Sequence, residues 1–184
     1  MKFNLNVGRF TLREFTEADV DDLYRLDSDP DVMRYISDGT TKSYETVQTG
    51  IKHMIAYYAK HPGLGVWHAS NPEGQFIGWC ALKYLGETDD IEIGYRLLKE
   101  HWGNGYATEG ASALLRYGFD TLGLDRIVAV ANPANSASRR VIEKIGLRFK
   151  EYTLRYNSDV AYYAITRQEY HQLSARREAT YITQ

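Results

Sequence analysis

Two glycines, Gly103 and Gly105, stand one residue apart where the apolar run ending at Leu97-Leu98 gives way to a helical pattern. Those residue types at that spacing suit the binding of an anion. Glycine lets the backbone turn tightly and come close to a ligand. The first N–H groups of the following helix have no partner inside it, and they carry the positive end of the helix dipole. A phosphate can rest there without any lysine. The expected ligand is a phosphorylated cofactor.

Three phosphate-binding loops compete for this stretch. A Walker A loop needs Gly-x-x-x-x-Gly-Lys-Ser/Thr, and the chain has no such run. A dinucleotide fingerprint needs Gly-x-Gly-x-x-Gly, but Thr108 stands where the third glycine belongs. Asp125 lies about the right distance on, yet it precedes the next strand-like run instead of ending it. The third loop is the pyrophosphate loop of an acyl-CoA transferase, and the wider sequence decides for it.

Four segments, in the family's order, resemble the GNAT N-acetyltransferase superfamily, most of all its RimJ/RimL-type branch of ribosomal-protein and amino-terminal acetyltransferases. They are Leu12-Arg13-Glu14-Phe15-Thr16-Glu17-Ala18-Asp19, followed by Ser28-Asp29-Pro30-Asp31-Val32-Met33-Arg34-Tyr35; Ile91-Glu92-Ile93-Gly94-Tyr95-Arg96-Leu97; Trp102-Gly103-Asn104-Gly105-Tyr106-Ala107-Thr108-Glu109; and Asn135-Ser136-Ala137-Ser138-Arg139-Arg140-Val141-Ile142-Glu143-Lys144 with Ile145-Gly146-Leu147. Many superfamily members have Gln or Arg where Trp102 sits; Trp102 is usual for this branch. The resemblance implies acetyl-CoA as cofactor, its pyrophosphate on the N–H groups of Gly103, Asn104, Gly105, Tyr106 and Ala107 with the Thr108 hydroxyl. It also implies that the pantetheine arm lies along the strand edge Ile93 to Leu98, as an added strand would. Leu97 and Leu98 would offer main-chain groups, Asn135 would bond the pantetheine, and Arg139 and Arg140 would reach the adenosine end or, equally, form surface salt bridges.

The reaction so implied is attack by a primary amine on the thioester, with no covalent enzyme intermediate. It needs a neutral amine, a polarised carbonyl and a proton for the leaving thiolate. An α-amino group, of pKa roughly 7.7–8.0, costs about 1 kcal/mol to deprotonate at pH 7, and a lysine side chain nearly 5. That difference favours an amino terminus as acceptor, with polyamines and antibiotic amines as the alternative. Glu92 is the candidate base, on the strand face opposite Ile91, Ile93 and Tyr95; the competing expectation is a solvent-exposed glutamate. Many superfamily members use a tyrosine where Ile142 lies, and isoleucine donates no proton, so Ser138 is the candidate donor or thiolate-binding hydroxyl. Asn135 and Ser138 also fit plain roles at a helix start. Glu109 complements the helix dipole. Tyr35, Trp67, Trp79 and Tyr156 could wall an acceptor cleft or simply pack.

Several elements must hold these residues. Residues 9–15 alternate like a half-buried strand. Thr16 and Asp19 mark a helix start, and Asp29-Pro30 breaks that helix. Residues 43–60 place Val47, Ile51, Met54, Ile55 and Tyr58 on one helical stripe. Strands follow at 65–70, 76–85 and 91–98, then a helix at 105–122 capped by Gly123. A strand at 126–131, a helix from Asn135 and a hairpin at 147–155 and 160–166 around Asn157-Ser158 complete the pattern, with a loose polar tail over the last ten residues. This is α+β. The resemblance implies a GNAT fold: a mixed central sheet of six or seven strands, splayed in the middle, with about four helices on its faces.

A chain of 184 residues fits a single domain, with its core at about 9–170 by the extent of the resemblance. A net charge of −2 leaves no footprint for nucleic acid, and no apolar run reaches the roughly 20 residues of a membrane span. The start lacks the apolar core of a signal peptide. One cysteine, Cys80, fits a reducing cytoplasm and reads as core packing. The five histidines show no metal-ligand spacing, so no metal is expected. Charge is uneven: eight acids and one base lie between Glu14 and Asp31, and seven bases and two acids between Arg126 and Arg155. Solvated faces explain this as well as phosphate contacts and a draw on a cationic substrate do. A homodimer is common in this branch. From outside enzymology, the alternative is an acyl-CoA-binding module without turnover.

Overall fold

In a computed structural model, residues 2–182 are described. Two short strands, β1 (Asn4–Asn6) and β2 (Thr11–Glu14), form the first hairpin. The Asp19 carboxylate accepts from the Thr16 N–H at 2.7 Å and so starts α1 (Val20–Asp27). Asp29-Pro30 ends that helix and begins another: the Asp29 carboxylate accepts from the Asp31 N–H at 2.8 Å, and Pro30 opens α2 (Pro30–Met33). Ser43 caps α3 (Tyr44–Lys60). Then come β3 (Gly65–Ser70), β4 (Phe76–Tyr84), β5 (Ile91–Leu97), α4 (Tyr106–Arg116), β6 (Arg126–Ala131), α5 (Ser136–Lys144), β7 (Arg148–Arg155), β8 (Ser158–Thr166) and α6 (Arg167–Ile182). Past Arg116 the helix loosens into one wide turn, Tyr117–Thr121.

The eight strands form one sheet in the order β1-β2-β3-β4-β5-β6-β8-β7. All neighbours are antiparallel except β5 and β6. Those two are parallel and meet only at Glu92 opposite Val128, whereas β4 and β5 pair from Gly78–Leu97 to Tyr84–Ile91. Beyond Glu92 the sheet splays open. Leu98 N–H bonds Ile77 O, so the even-numbered residues of β5 turn their main-chain groups to β4. By the antiparallel alternation, those of Tyr95 and Leu97 face the gap, as does the Ile93 carbonyl, while the Ile93 N–H serves the Glu92–Val128 bridge to β6.

Helices cover both faces. Ile91, Ile93 and Leu97 join a core with Leu114, Leu115, Ile142 and Ile145 under α4 and α5. Leu23, Leu26, Val47 and Ile51 pack with Phe15, Phe76 and Leu98 under α1 and α3. The mixed, splayed sheet is as expected, but it has eight strands and six helices, not six or seven and about four. The extra strand, β1, is too short to show alternation, and α2 hides behind the proline read as a break. Helix α6 occupies most of the expected loose tail; Thr183 and Gln184 lie outside the described residues. No described helix is long and apolar enough to cross a membrane.

Candidate active site

The splay opens a cleft of about 1000 Å³ that runs from Gly103 and Thr108 past β5 to Glu92 and Tyr156. At its first end, Gly103 and Gly105 have φ of 75° and 84°, the left-handed region that a Cβ disfavours. Gly105 is the residue before α4, so the N–H groups of Tyr106, Ala107 and Thr108 lack helical partners and border the cleft. Beside a Gly103 Cβ position nothing lies within 4 Å. The cradle has room for a diphosphate, and the unpaired edge of β5 has room for an extended arm.

At the other end Glu92 is buried, 8% exposed, which rules out the solvent-exposed glutamate. Lys83, opposite it on β4, donates to Glu92 Oε2 at 2.9 Å, and Tyr156 from the β7–β8 turn donates to the same oxygen at 2.6 Å. Lys83 Nζ also donates to the Tyr156 hydroxyl at 2.7 Å. Burial works against the Lys83 ammonium, but Glu92 and Tyr156 outweigh it and hold its pKa above the ordinary lysine value. Across the gap, the Asn135 side chain accepts from the Ser138 N–H at 3.1 Å and caps α5. Ser138 Oγ lies 3.1 Å from the Tyr95 hydroxyl, which burial pushes up to about 12. Both Glu92 and Ser138 line the cleft.

The Acetyltransferase (GNAT) domain family matches residues 9–148. The chain belongs to the GNAT acetyltransferase family. YoaA of Bacillus subtilis, named as an N-acetyltransferase, is 34% identical over 152 residues, 82% of this chain and 85% of that one. The FsC-acetyl coenzyme A-N(2)-transacetylase of Aspergillus fumigatus is 33% identical over 147 residues, 76% of this chain and 59% of its own length. A GNAT acetyltransferase structure from Bacillus anthracis superposes with a TM-score of 0.77 at 30% identity, covering 90% of this chain and 99% of that one. This GNAT protein is an N-acetyltransferase whose acetyl donor is acetyl-CoA.

The GNAT cleft departs from the sequence expectations in particular places. Leu98 offers nothing to a ligand, because its N–H bonds Ile77 O and its carbonyl accepts from the His101 N–H at 2.9 Å. The Leu97 carbonyl already accepts from the Trp102 indole at 2.9 Å. Arg139 turns away from the cleft to bond the Tyr163 hydroxyl at 2.8 Å and Pro133 O at 3.3 Å, while Arg140 lines it. Glu109 is held by Arg9, whose guanidinium also donates to Asn104 O at 2.7 Å and lies 4.5 Å from the Tyr106 ring centre. Arg9 ties the cradle to the chain start, and no motif announced it.

Of the candidate wall residues, Tyr35, Trp79 and Tyr156 line the cleft, and Trp67 is core, 1% exposed. Cys80 is fully buried, which pushes its thiol up to about 12 and leaves it inert. The acidic segment is largely engaged: Asp19 pairs with Arg13, Asp31 with Lys99, and Asp27 with both Arg96 and Lys42. His68 sits beside Asp19 and Asp22, a grouping the histidine spacing did not reveal. Arg13 grips both Asp19 oxygens at 2.7 and 2.8 Å, so that carboxylate is already satisfied.

Lys83 and Tyr95 were also missed. Lys83 had a usable signal. A hairpin closed by Leu85 and Asp90 sets position 83 against position 92, and the two carry opposite charges.

Proposed function

We propose that this enzyme moves the acetyl group directly to a primary amine, foremost a peptide or protein amino terminus, as in the RimJ/RimL-type branch. The observation that carries this is the buried carboxylate of Glu92 on the cleft wall, reached along the open edge of β5 from the cradle. Bound acetyl-CoA supplies the activated acetyl thioester. The N–H groups of Gly103 to Ala107 and the Thr108 hydroxyl hold the diphosphate, and the main chain of Ile93 orders the pantetheine. Glu92 takes the proton from the acceptor nitrogen. Ser138, with Tyr95 at its back, offers a hydroxyl to the departing sulfur in place of the proton donor that Ile142 cannot be. Cys80 is sealed in the core, so a cysteine-borne acyl intermediate has no place in this reading. The single buried cysteine also fits a cytoplasmic setting.

An α-amine reaches its neutral, attacking form at less cost than a lysine or polyamine does, as the deprotonation costs above show. The Aspergillus relative is itself named for an N(2) acetylation. Thiol release from acetyl-CoA, screened over amino-terminal peptides, polyamines and aminoglycosides, tests the reading. Turnover of the peptides is expected. Tight CoA binding with no release from any amine would overturn it in favour of a binding module.

A further inference from the structure

Both buried carboxylates in the acceptor half of the cleft are already matched by cations. Asp27 holds Arg96 and Lys42, and Glu92 holds Lys83. Lys83 cannot swing aside without losing Glu92, Tyr156 and a 3.5 Å contact to Tyr84 O. Lys83 and Tyr156 both donate to Glu92 Oε2; among the described residues Oε1 has no donor. An acceptor nitrogen bonded to Oε1 would therefore stand a few ångströms from a fixed ammonium, with no uncompensated buried charge to hold it as a cation.

Resting on the amine-acetylating reading above, we propose that Lys83 makes the enzyme take its acceptor as the neutral amine. The nitrogen lone pair forms the C–N bond, the C–S bond breaks with its electron pair on sulfur, and one N–H proton passes to Glu92 Oε1. Lys83 is thus a positioning residue that selects acceptors by amine pKa. The other groups facing this pair do not undo the effect. Tyr57 of α3 and Tyr156 of the turn are neutral phenols whose pKa burial raises. Asp38, Arg155 and Asp159 line the cleft in mixed sign, and Asp38 is hydrogen-bonded to Thr40.

The test is kcat/KM against pH for two acceptors, a short peptide with a free amino terminus and an Nα-blocked lysine amide. For each, the acid limb should rise about tenfold per pH unit up to that amine's own pKa, so the limbs lie about two and a half pH units apart. Calorimetric binding of each acceptor in the presence of CoA should follow the same two limbs. Lys83→Met admits the ammonium form. Its limb moves to lower pH, and the preference for the peptide narrows by at least about tenfold. A single limb shared by both acceptors in the wild-type enzyme would overturn the role of Lys83 while leaving amine acetylation standing. So would folded K83M and K83Q enzymes that keep the wild-type limbs. Absence of transfer to any amine would remove both.

Discussion

At one end of the cleft, consecutive residues from Gly103 to Thr108 present main chain; at the other, Lys83, Glu92 and Tyr156 meet as side chains from β4, β5 and the β7–β8 turn. The cradle depends on backbone shape, so apart from Thr108 its side chains are exchangeable and its glycines are not. The acceptor end depends on single oxygen and nitrogen atoms, so substitutions that preserve shape are the damaging ones there. The two ends also differ in charge. The cradle offers unpaired N–H dipoles, whereas every buried charge at the acceptor end has a partner.

The sharpest test of that contrast is Glu92→Gln, which keeps the shape of the site and removes the base. We expect kcat to fall about 10² to 10⁴-fold while CoA affinity, measured by calorimetry, stays within about twofold. An equal loss of both would mean that the two ends are not separable. Gly105→Val makes the complementary change. A Cβ at φ 84° costs roughly 1–2 kcal/mol and more when branched, and relieving it re-aims the first N–H groups of α4. CoA affinity should drop about tenfold or more, with residual kcat at saturating CoA close to wild type.

The contrast also explains what could be read without coordinates. The cradle, β3, β6, α3 and the capping role of Asn135 are local: each is fixed by a periodicity or by a cap within a few residues. Glu92 and Ser138 stood out in the sequence because each sits inside a contiguous motif, and both line the cleft. Tyr156 reaches Glu92 from 64 positions away, and Arg9 reaches Glu109 from 100. Such pairs are set by sheet order and turn geometry, and neither leaves a mark near the residue itself. The neighbours Leu97 and Leu98 show the same limit at close range. Pleat alternation turns only one of them to the gap, and the indole of Trp102 then claims its carbonyl.

A change outside both ends should touch neither. Burial opposes the Asp19 carboxylate, but Arg13 and the Thr16 N–H and hydroxyl outweigh it and hold its pKa at about 2. A depressed folded pKa means stability that is complete above the unfolded value of 3.8 and is lost as pH falls through about 2. The magnitude is about 2 kcal/mol at 1.36 kcal/mol per unit. Asp19→Asn should lower the unfolding free energy in urea at pH 7 by about that amount and flatten its decline in acid. kcat and CoA affinity should hold. A fall in kcat would show that the Thr16 turn, through α1 and Asp27, also sets the acceptor end.

The smallest expected effect separates two adjacent arginines. Arg139 and Arg140 have the same sequence expectation, contact with the adenosine end of the coenzyme, yet α5 points them in different directions. Arg139 spends its guanidinium on Tyr163 of β8 and on Pro133 O, and Arg140 lies along the cleft with, among the described residues, a single hydrogen bond to Ser136 O at 3.3 Å. A solvent-exposed charge near a phosphate is worth little, so Arg140→Ala should weaken CoA about two- to fivefold, and less at high salt. Arg139→Ala should leave CoA affinity unchanged and lower thermal stability instead, because the buried Tyr163 hydroxyl then loses its 2.8 Å donor and keeps a longer 3.3 Å bond to Glu143. If Arg139 proved the stronger contributor to CoA binding, α5 would have to turn when the coenzyme enters. The cradle end would then share the side-chain dependence assigned here to the acceptor end alone.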